Sequence, residues 1–301
     1  MMNVALIGYG EVGRILAEDL RAADHAVTAH DIKLGSASGE RLRAHARACG
    51  VTLADSHADA VRRADLVVSA VTANQTVAAA HACAGAVDGF LLDVNSASPV
   101  AKLAAAAHVE DGGGRYVEGA VMTAVPPHRI KVPLLLGGPH ASALEPLLKE
   151  MGFSARVASG QLGVASATKM CRSVVIKGLE AMVIESFTAA RRYGVEEAVT
   201  ASLRETFPGI DWERQAAYFF QRVIEHGRRR AEEMREADGT VRDAGLEPWS
   251  AAGTAALQSW IADLADDGVF GERGRPGFAR SPDWRIEADR IIDHLRTSKE
   301  R

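Results

Sequence analysis

Short apolar runs rich in Val, Ile and Leu punctuate the first half of the chain, at residues 3–7, 26–30, 51–53, 66–70, 90–93, 116–120 and 133–137. Alanine-rich stretches of helical character lie between them. Unbroken apolar runs of about four to eight residues suit strands covered on both faces, as in a parallel sheet. Their alternation with helices predicts βαβ units, and right-handed crossovers then place helices on both faces of the sheet. Beyond about Phe153 the strand pattern stops and a helical period takes over. Residues 161–192 read as one long helix, with Val164, Ala167, Met170, Cys171, Val174, Val175, Leu179, Met182 and Val183 on a broad apolar face. Further helices are predicted over 212–237, 250–264 and 282–295, and a loop over 271–277 around Pro276. Gly239 leaves open whether the 212–237 helix continues. The pattern predicts an α/β fold: a doubly wound parallel sheet over residues 1–158, followed by an all-helical domain over 159–301.

The first apolar run leads directly into Gly8-Tyr9-Gly10-Glu11-Val12-Gly13, a G-x-G-x-x-G sequence that opens a helix. Gly8 permits a tight strand-to-helix turn, Gly10 a close backbone approach to a pyrophosphate, and Gly13 close packing of helix on strand. The helix N-terminus offers free N–H groups and partial positive charge to phosphates. Asp31 stands 18 residues after Gly13, at the end of the second run. There a carboxylate accepts hydrogen bonds from ribose hydroxyls. Together these predict a Rossmann dinucleotide-binding domain. Asp31 favours NAD, because it repels a 2′-phosphate, and Lys33 nearby keeps NADP possible. Val71, Thr72 and Asn74 follow the fourth run and Asn95 follows the fifth. All lie at the carboxyl edge, where ligands bind in such sheets.

Composition narrows the classes. Across 301 residues the formal net charge is −4, which suggests neither a nucleic-acid nor an anionic-membrane partner. Cys49, Cys83 and Cys171 are an odd, scattered set. They predict no disulfide framework and fit a reducing compartment. The histidines are scattered and no H-E-x-x-H occurs, so no metal is expected. The absence of G-x-S-x-G argues against a Ser-His-Asp hydrolase. With no leader pattern at Met1 and no apolar stretch of about 18–20 residues, the chain reads as cytoplasmic.

Four ordered segments carry a resemblance to the β-hydroxyacid dehydrogenase superfamily, which includes 3-hydroxyisobutyrate, tartronate-semialdehyde and 6-phosphogluconate dehydrogenases. They are the glycine motif, Asp93-Val94-Asn95-Ser96-Ala97-Ser98-Pro99, Val117-Glu118-Gly119-Ala120-Val121-Met122-Thr123-Ala124, and the stretch from Gly163 through Lys169 to Ser173. The resemblance implies a cofactor domain, then a helical domain that builds a homodimer, with hydroxyl–ketone interconversion in a cleft between them. Lys169 matches the family's catalytic lysine. Its place on an apolar face and the neighbouring Arg172 both disfavour the charged form, and a neutral amine can take a hydroxyl proton as hydride leaves. Ser96 and Thr123 are the implied substrate contacts.

The sequence departs from the family in three places. Ser173 stands where the family has asparagine, one turn after the lysine, where its hydroxyl can orient substrate. Met122-Thr123-Ala124 replaces Ser-Gly-Gly. Glu232 aligns with a second lysine, whose role is not carried over. These changes predict a larger or less polar substrate than the usual small hydroxyacids.

Other residues carry expectations too. Pro126-Pro127-His128-Arg129-Ile130-Lys131 reads as a stiff basic loop, solvated or holding an anionic substrate through Arg129. Lys177 and Glu180 read as an i,i+3 ion pair or part of a polar network, and His226 and Trp249 as core or interface. Two alternatives stand beside the dehydrogenase: an imine reductase of similar architecture, against which Lys169 counts, and a nicotinamide-binding sensor without turnover.

Overall fold

A computed structural model of the chain describes residues 1–37 and 39–299. Eight strands form one sheet: β1 (Asn3–Ile7), β2 (Ala26–His30), β3 (Thr52–Leu53), β4 (Leu66–Ser69), β5 (Phe90–Asp93), β6 (Arg115–Val121), β7 (Leu134–Gly137) and β8 (Ala155–Ser159). Seven helices accompany them: α1 (Glu11–Ala22), α2 (Gly39–Cys49), α3 (His57–Val61), α4 (Thr76–Cys83), α5 (Pro99–Asp111), α6 (Val125–His128) and α7 (Ala141–Glu150). Then come α8 (Val164–Tyr193), α9 (Glu196–Thr206), α10 (Trp212–Asp243), α11 (Trp249–Asp266) and α12 (Trp284–Lys299). The compact units divide inside α8, Met1–Met170 and Cys171–Arg301, whereas the sequence pattern places the change at 158/159.

In the first unit the strand order is β3-β2-β1-β4-β5-β6-β7-β8. All neighbours are parallel except β6 and β7. The apolar runs are continuous because successive residues serve opposite faces. Val4 and Leu6 of β1 pack with Leu16 and Leu20 of α1, Leu42 of α2 and Leu144 of α7. Ala5 and Ile7 pack with Val61 of α3, Ala79 of α4 and Ala105 and Val109 of α5. The sheet is thus doubly wound as predicted, with one antiparallel pair added. The link between β6 and β7 carries only the one-turn helix α6 and no crossover helix.

β8 is not visible as an apolar run. Its sequence, Ala155-Arg156-Val157-Ala158-Ser159, is half exposed, as befits an outermost strand.

The second unit is helical. Val183, Ile184 and Phe187 of α8 meet Trp212, Phe220, Val223 and Ile224 of α10, Ile261 of α11, and Trp284 and Ile291 of α12. α10 continues through Gly239 to Asp243 and kinks at His226, whose φ of −124° and ψ of 15° are non-helical. α10 and α11 approach closely at Gly227, where a Cβ would lie 2.8 Å from the Gln258 carbonyl oxygen. α9 was not predicted. Val175 and Met182, expected on the apolar face of α8, are exposed, as is Cys171. Among the described residues no helix is long and apolar enough to cross a membrane.

Candidate active site

The glycine turn after β1 is built as its sequence requires. Gly8 has φ +93°, and a Cβ there would lie 2.5 Å from the Ala70 carbonyl oxygen; one on Gly13 would lie 2.1 Å from the Gly8 carbonyl oxygen. Neither position admits a side chain. Gly10 is different: it is exposed, and a Cβ there would meet nothing within 4 Å. Open space thus lies in front of the residue that caps α1, next to the amides that a helix leaves without intrahelical partners. This is the cradle a diphosphate needs. Glu11 is exposed, Val12 half-buried and Gly13 buried.

The Tyr9 side chain turns inward and is fully buried, its hydroxyl 2.9 Å from His45 Nδ1. Only the Tyr9 backbone therefore belongs to the cradle. Its N–H donates to Asp31 Oδ2 at 2.8 Å, while Asp31 Oδ1 accepts from the Lys33 N–H at 2.8 Å and caps the short turn Ile32–Gly35. One carboxylate thus fixes the two loops that follow β1 and β2. The Lys33 side chain is exposed beside it.

The loops after β4 and β5 are likewise joined by one side chain. Asn95 Oδ1 accepts from the Val71 N–H at 2.7 Å, and Asn95 Nδ2 donates to Ser69 Oγ at 3.0 Å. The Asn95 N–H donates to Asp93 Oδ1 at 2.9 Å. Buried, Asn95 ties the loop after β4 to the loop after β5. Thr72 and Asn74 are exposed, and the Thr72 hydroxyl donates to Asn74 Oδ1.

Below this edge lies a network that the sequence reading missed. Lys102 of α5 donates from Nζ to Asp93 Oδ1 at 2.7 Å and to the Asp93 carbonyl at 2.8 Å. The Tyr116 hydroxyl donates to Asp93 Oδ2 at 2.7 Å. All three residues are buried. Burial, then the Asp93 charge, pushes the Tyr116 phenol well above its usual range. The available signal was a lysine at 102, a helical step before the apolar positions Ala105, Ala106 and Val109.

Lys169 lies on α8, and its Nζ donates to Ser96 Oγ at 2.6 Å, across 73 residues of sequence. The start of α8 is held by Glu118 of β6, a fully buried carboxylate. Its Oε1 accepts from the Ala165 N–H at 3.0 Å and its Oε2 from the Ser166 hydroxyl at 2.8 Å. An acid at a helix N-terminus also complements the helix dipole. Gly137 leaves the room: a Cβ there would lie 2.2 Å from Glu118 Oε1. Thr123 is exposed in the loop after β6, beside half-buried Met122, and Ser173 is buried on α8.

Several expectations need correcting. Arg129 does not stand free to clamp a substrate. It donates to Asp19 Oδ1 at 2.8 Å and to Glu18 Oε2 at 2.7 Å, and the Ile130 N–H donates to Asp19 Oδ2 at 3.0 Å, so the basic loop is pinned to α1. Lys177 and Glu180 do not pair with each other: Lys177 bonds Glu233, which also holds Arg229, and Glu180 bonds Arg230. Burial pushes the Lys177 ammonium below its usual range, and Glu233 opposes that shift. Trp249 is 82% exposed, so it is no core residue; His226 marks the kink in α10. Glu232, where the family has its second lysine, is half-buried.

Residues 3–95 match a family model described as NADP oxidoreductase, coenzyme F420-dependent, and residues 190–261 match a domain of unknown function (DUF1932). A conserved hypothetical protein of solved structure from Sinorhizobium meliloti 1021 is 35% identical, with 96% of this chain and 97% of that one covered at a TM-score of 0.72. A conserved protein of unknown function, described as structurally similar to 3-hydroxyacid dehydrogenases, is 30% identical over 88% of this chain and 98% of its own, at a TM-score of 0.69. A Mycobacterium tuberculosis 3-hydroxyisobutyrate dehydrogenase, solved with L-serine, shares the fold at 18% identity, 97% and 99% coverage and a TM-score of 0.67.

Proposed function

Since this chain belongs to the β-hydroxyacid dehydrogenase superfamily, we propose that it is an NAD(P)-dependent oxidoreductase. It interconverts a hydroxyacid or secondary alcohol and the matching ketone, with Lys169 as proton carrier. The observation that carries this reading is the 2.6 Å contact from Lys169 Nζ to Ser96 Oγ. It brings an amine of α8 to the carboxyl edge of the sheet, in the same unit as the glycine turn.

The residues present fit the cofactor. Open space at Gly10, the first amides of α1 and the Asp31 carboxylate supply pyrophosphate and ribose partners. When bound, the nicotinamide supplies or receives the hydride. In the oxidation direction neutral Lys169 Nζ takes the hydroxyl proton; in reduction the ammonium returns it to the carbonyl oxygen. Ser96 Oγ accepts one N–H of Lys169 and so orients the amine, and the Ser96 hydroxyl proton is available to a substrate oxygen. Thr123 and Ser173 offer further hydroxyls. Glu118 seats the first turn of α8, and Asn95 ties the loop after β4 to the loop after β5. Met122 and the missing glycine pair favour a bulkier, less polar substrate than 3-hydroxyisobutyrate.

The test is Lys169→Ala in a cofactor-coupled screen of hydroxyacids, alcohols and ketones. Turnover should fall by about 10²–10⁴-fold, the usual worth of a positioned acid–base group, while NADH affinity stays within a few fold. Retained turnover removes Lys169 from this role. Tight NADH binding without turnover of any substrate by the unaltered protein would favour a sensor instead.

A further inference from the structure

A second chemical centre lies behind the glycine turn, between α1 and α2. Glu18 Oε1 is 2.9 Å from His45 Nε2, and Cys49 Sγ is 3.7 Å from the same nitrogen. The three ligand atoms all lie within 4.8 Å of one another. We propose that Glu18, His45 and Cys49 form a three-ligand site for a borderline-soft divalent cation of the Zn²⁺ class.

The spacing matches the chemistry. Zinc bonds of about 2.0 Å to nitrogen or oxygen and about 2.3 Å to sulfur set tetrahedral edges of roughly 3.3 to 3.5 Å. The two measured separations bracket those edges, and the third, within 4.8 Å, closes to the same edge when the ion is seated. A mixed O, N, S set selects zinc-like ions over magnesium or calcium, which take oxygen alone. All three residues are partly exposed, which gives the ion and a fourth, water ligand access from solvent.

The surrounding groups are those a metal site recruits. A ligating histidine is oriented by a partner on its other nitrogen, and here Nδ1 lies 2.9 Å from the buried Tyr9 hydroxyl. The second oxygen of Glu18 is fixed by Arg129 at 2.7 Å, which leaves Oε1 turned to the site. Bonds from His45 and Arg129 hold the Glu18 carboxyl below its usual range. Binding follows a balanced exchange. Cys49 loses its thiol proton to solvent as the S–metal bond forms. The imidazole takes the metal on Nε2 and carries its N–H on Nδ1, towards the Tyr9 oxygen. His45 and Cys49 are one helical turn apart on α2, but the third ligand comes from another helix, so sequence spacing reveals only two of the three.

The bound ion would tie α1 to α2 behind Tyr9, whose backbone N–H holds Asp31. The site is therefore a brace for the glycine turn, separate from Lys169 chemistry and independent of the proposed activity.

Full-length protein stripped with a chelator and titrated with Co²⁺ decides the matter. One equivalent should bind with tetrahedral visible bands and a thiolate-to-metal charge-transfer band, and Zn²⁺ should displace it. Cys49→Ser should lose the charge-transfer band and Cys171→Ser should keep it. Tyr9→Phe should weaken Co²⁺ binding by about tenfold, as loss of an outer-shell partner does. His45→Gln, checked for folding by circular dichroism, should abolish stoichiometric binding. A spectrum without the charge-transfer band in the unaltered protein overturns the site. So does a band that survives Cys49→Ser or vanishes in Cys171→Ser.

Discussion

Asp31 uses both carboxylate oxygens on backbone amides, one from each flanking loop. Each oxygen has a second lone pair free for a ribose hydroxyl. On the proposed function, Asp31→Ala removes a ribose contact; it also loosens Tyr9. The second effect weakens NAD and NADP alike, while the first falls on NAD. Hydrogen bonds to a charged group are worth about 1.5–3 kcal/mol. NAD affinity should thus drop by roughly ten- to a hundredfold and NADP affinity by less, as measured by fluorescence titration of the reduced cofactors. An unchanged ratio between them would remove the ribose contact. The site's glycines and Asp31 were legible in the sequence because each serves a local purpose at fixed spacing. Tyr9 misled, since its backbone belongs to the turn while its side chain belongs to the interior. Asn95 is legible as a site residue, but its bond to the Val71 N–H is not. Asp93, Lys102 and Tyr116 escaped because their contacts span several elements, and no sequence period encodes them.

Among elements, the buried runs declared themselves and the half-exposed ones did not. β1, β4, β5 and β7 are apolar on both sides and read plainly; β8 alternates Ala, Arg, Val and so looks like a loop. The antiparallel turn between β6 and β7 was equally hidden, because an apolar run carries no direction. Charge pairing shows the same limit. Helical spacing put Lys177 beside Glu180, but each found a partner on α10 instead. Glu233 is the pivot, bonding both Lys177 and Arg229. Glu233→Gln should leave a buried ammonium uncompensated and cost about 3–5 kcal/mol of stability in urea unfolding. The double variant Lys177→Met/Glu233→Leu should recover most of that loss, because apolar replacement of a buried pair is close to neutral. If the single variant unfolds at the same urea midpoint, the pair contributes nothing to the helical unit.

At the scale of the molecule, the sequence pattern separates a sheet half from a helical half, and the sheet half reaches further than the pattern suggests. A fragment ending at Phe153 lacks β8, and so uncovers the paired edge of β7 from Leu134 to Gly137. Open strand edges template association. On size-exclusion chromatography that fragment should aggregate, while a fragment ending at Met170 retains β8 and should elute with less aggregate. Equal, monomeric elution of both would mean that the β7 edge protects itself.

The seat that Gly137 leaves for Glu118 has a wider consequence. A single methyl group at position 137 would evict the acid that hitches the first turn of α8 to the sheet, far along the chain from Lys169 and without touching any reacting atom. Drift at these two positions is therefore bound together: an alanine at one calls for a shorter residue at the other. A survey of chains that kept the lysine but fell silent would do well to look there before blaming the catalytic groups.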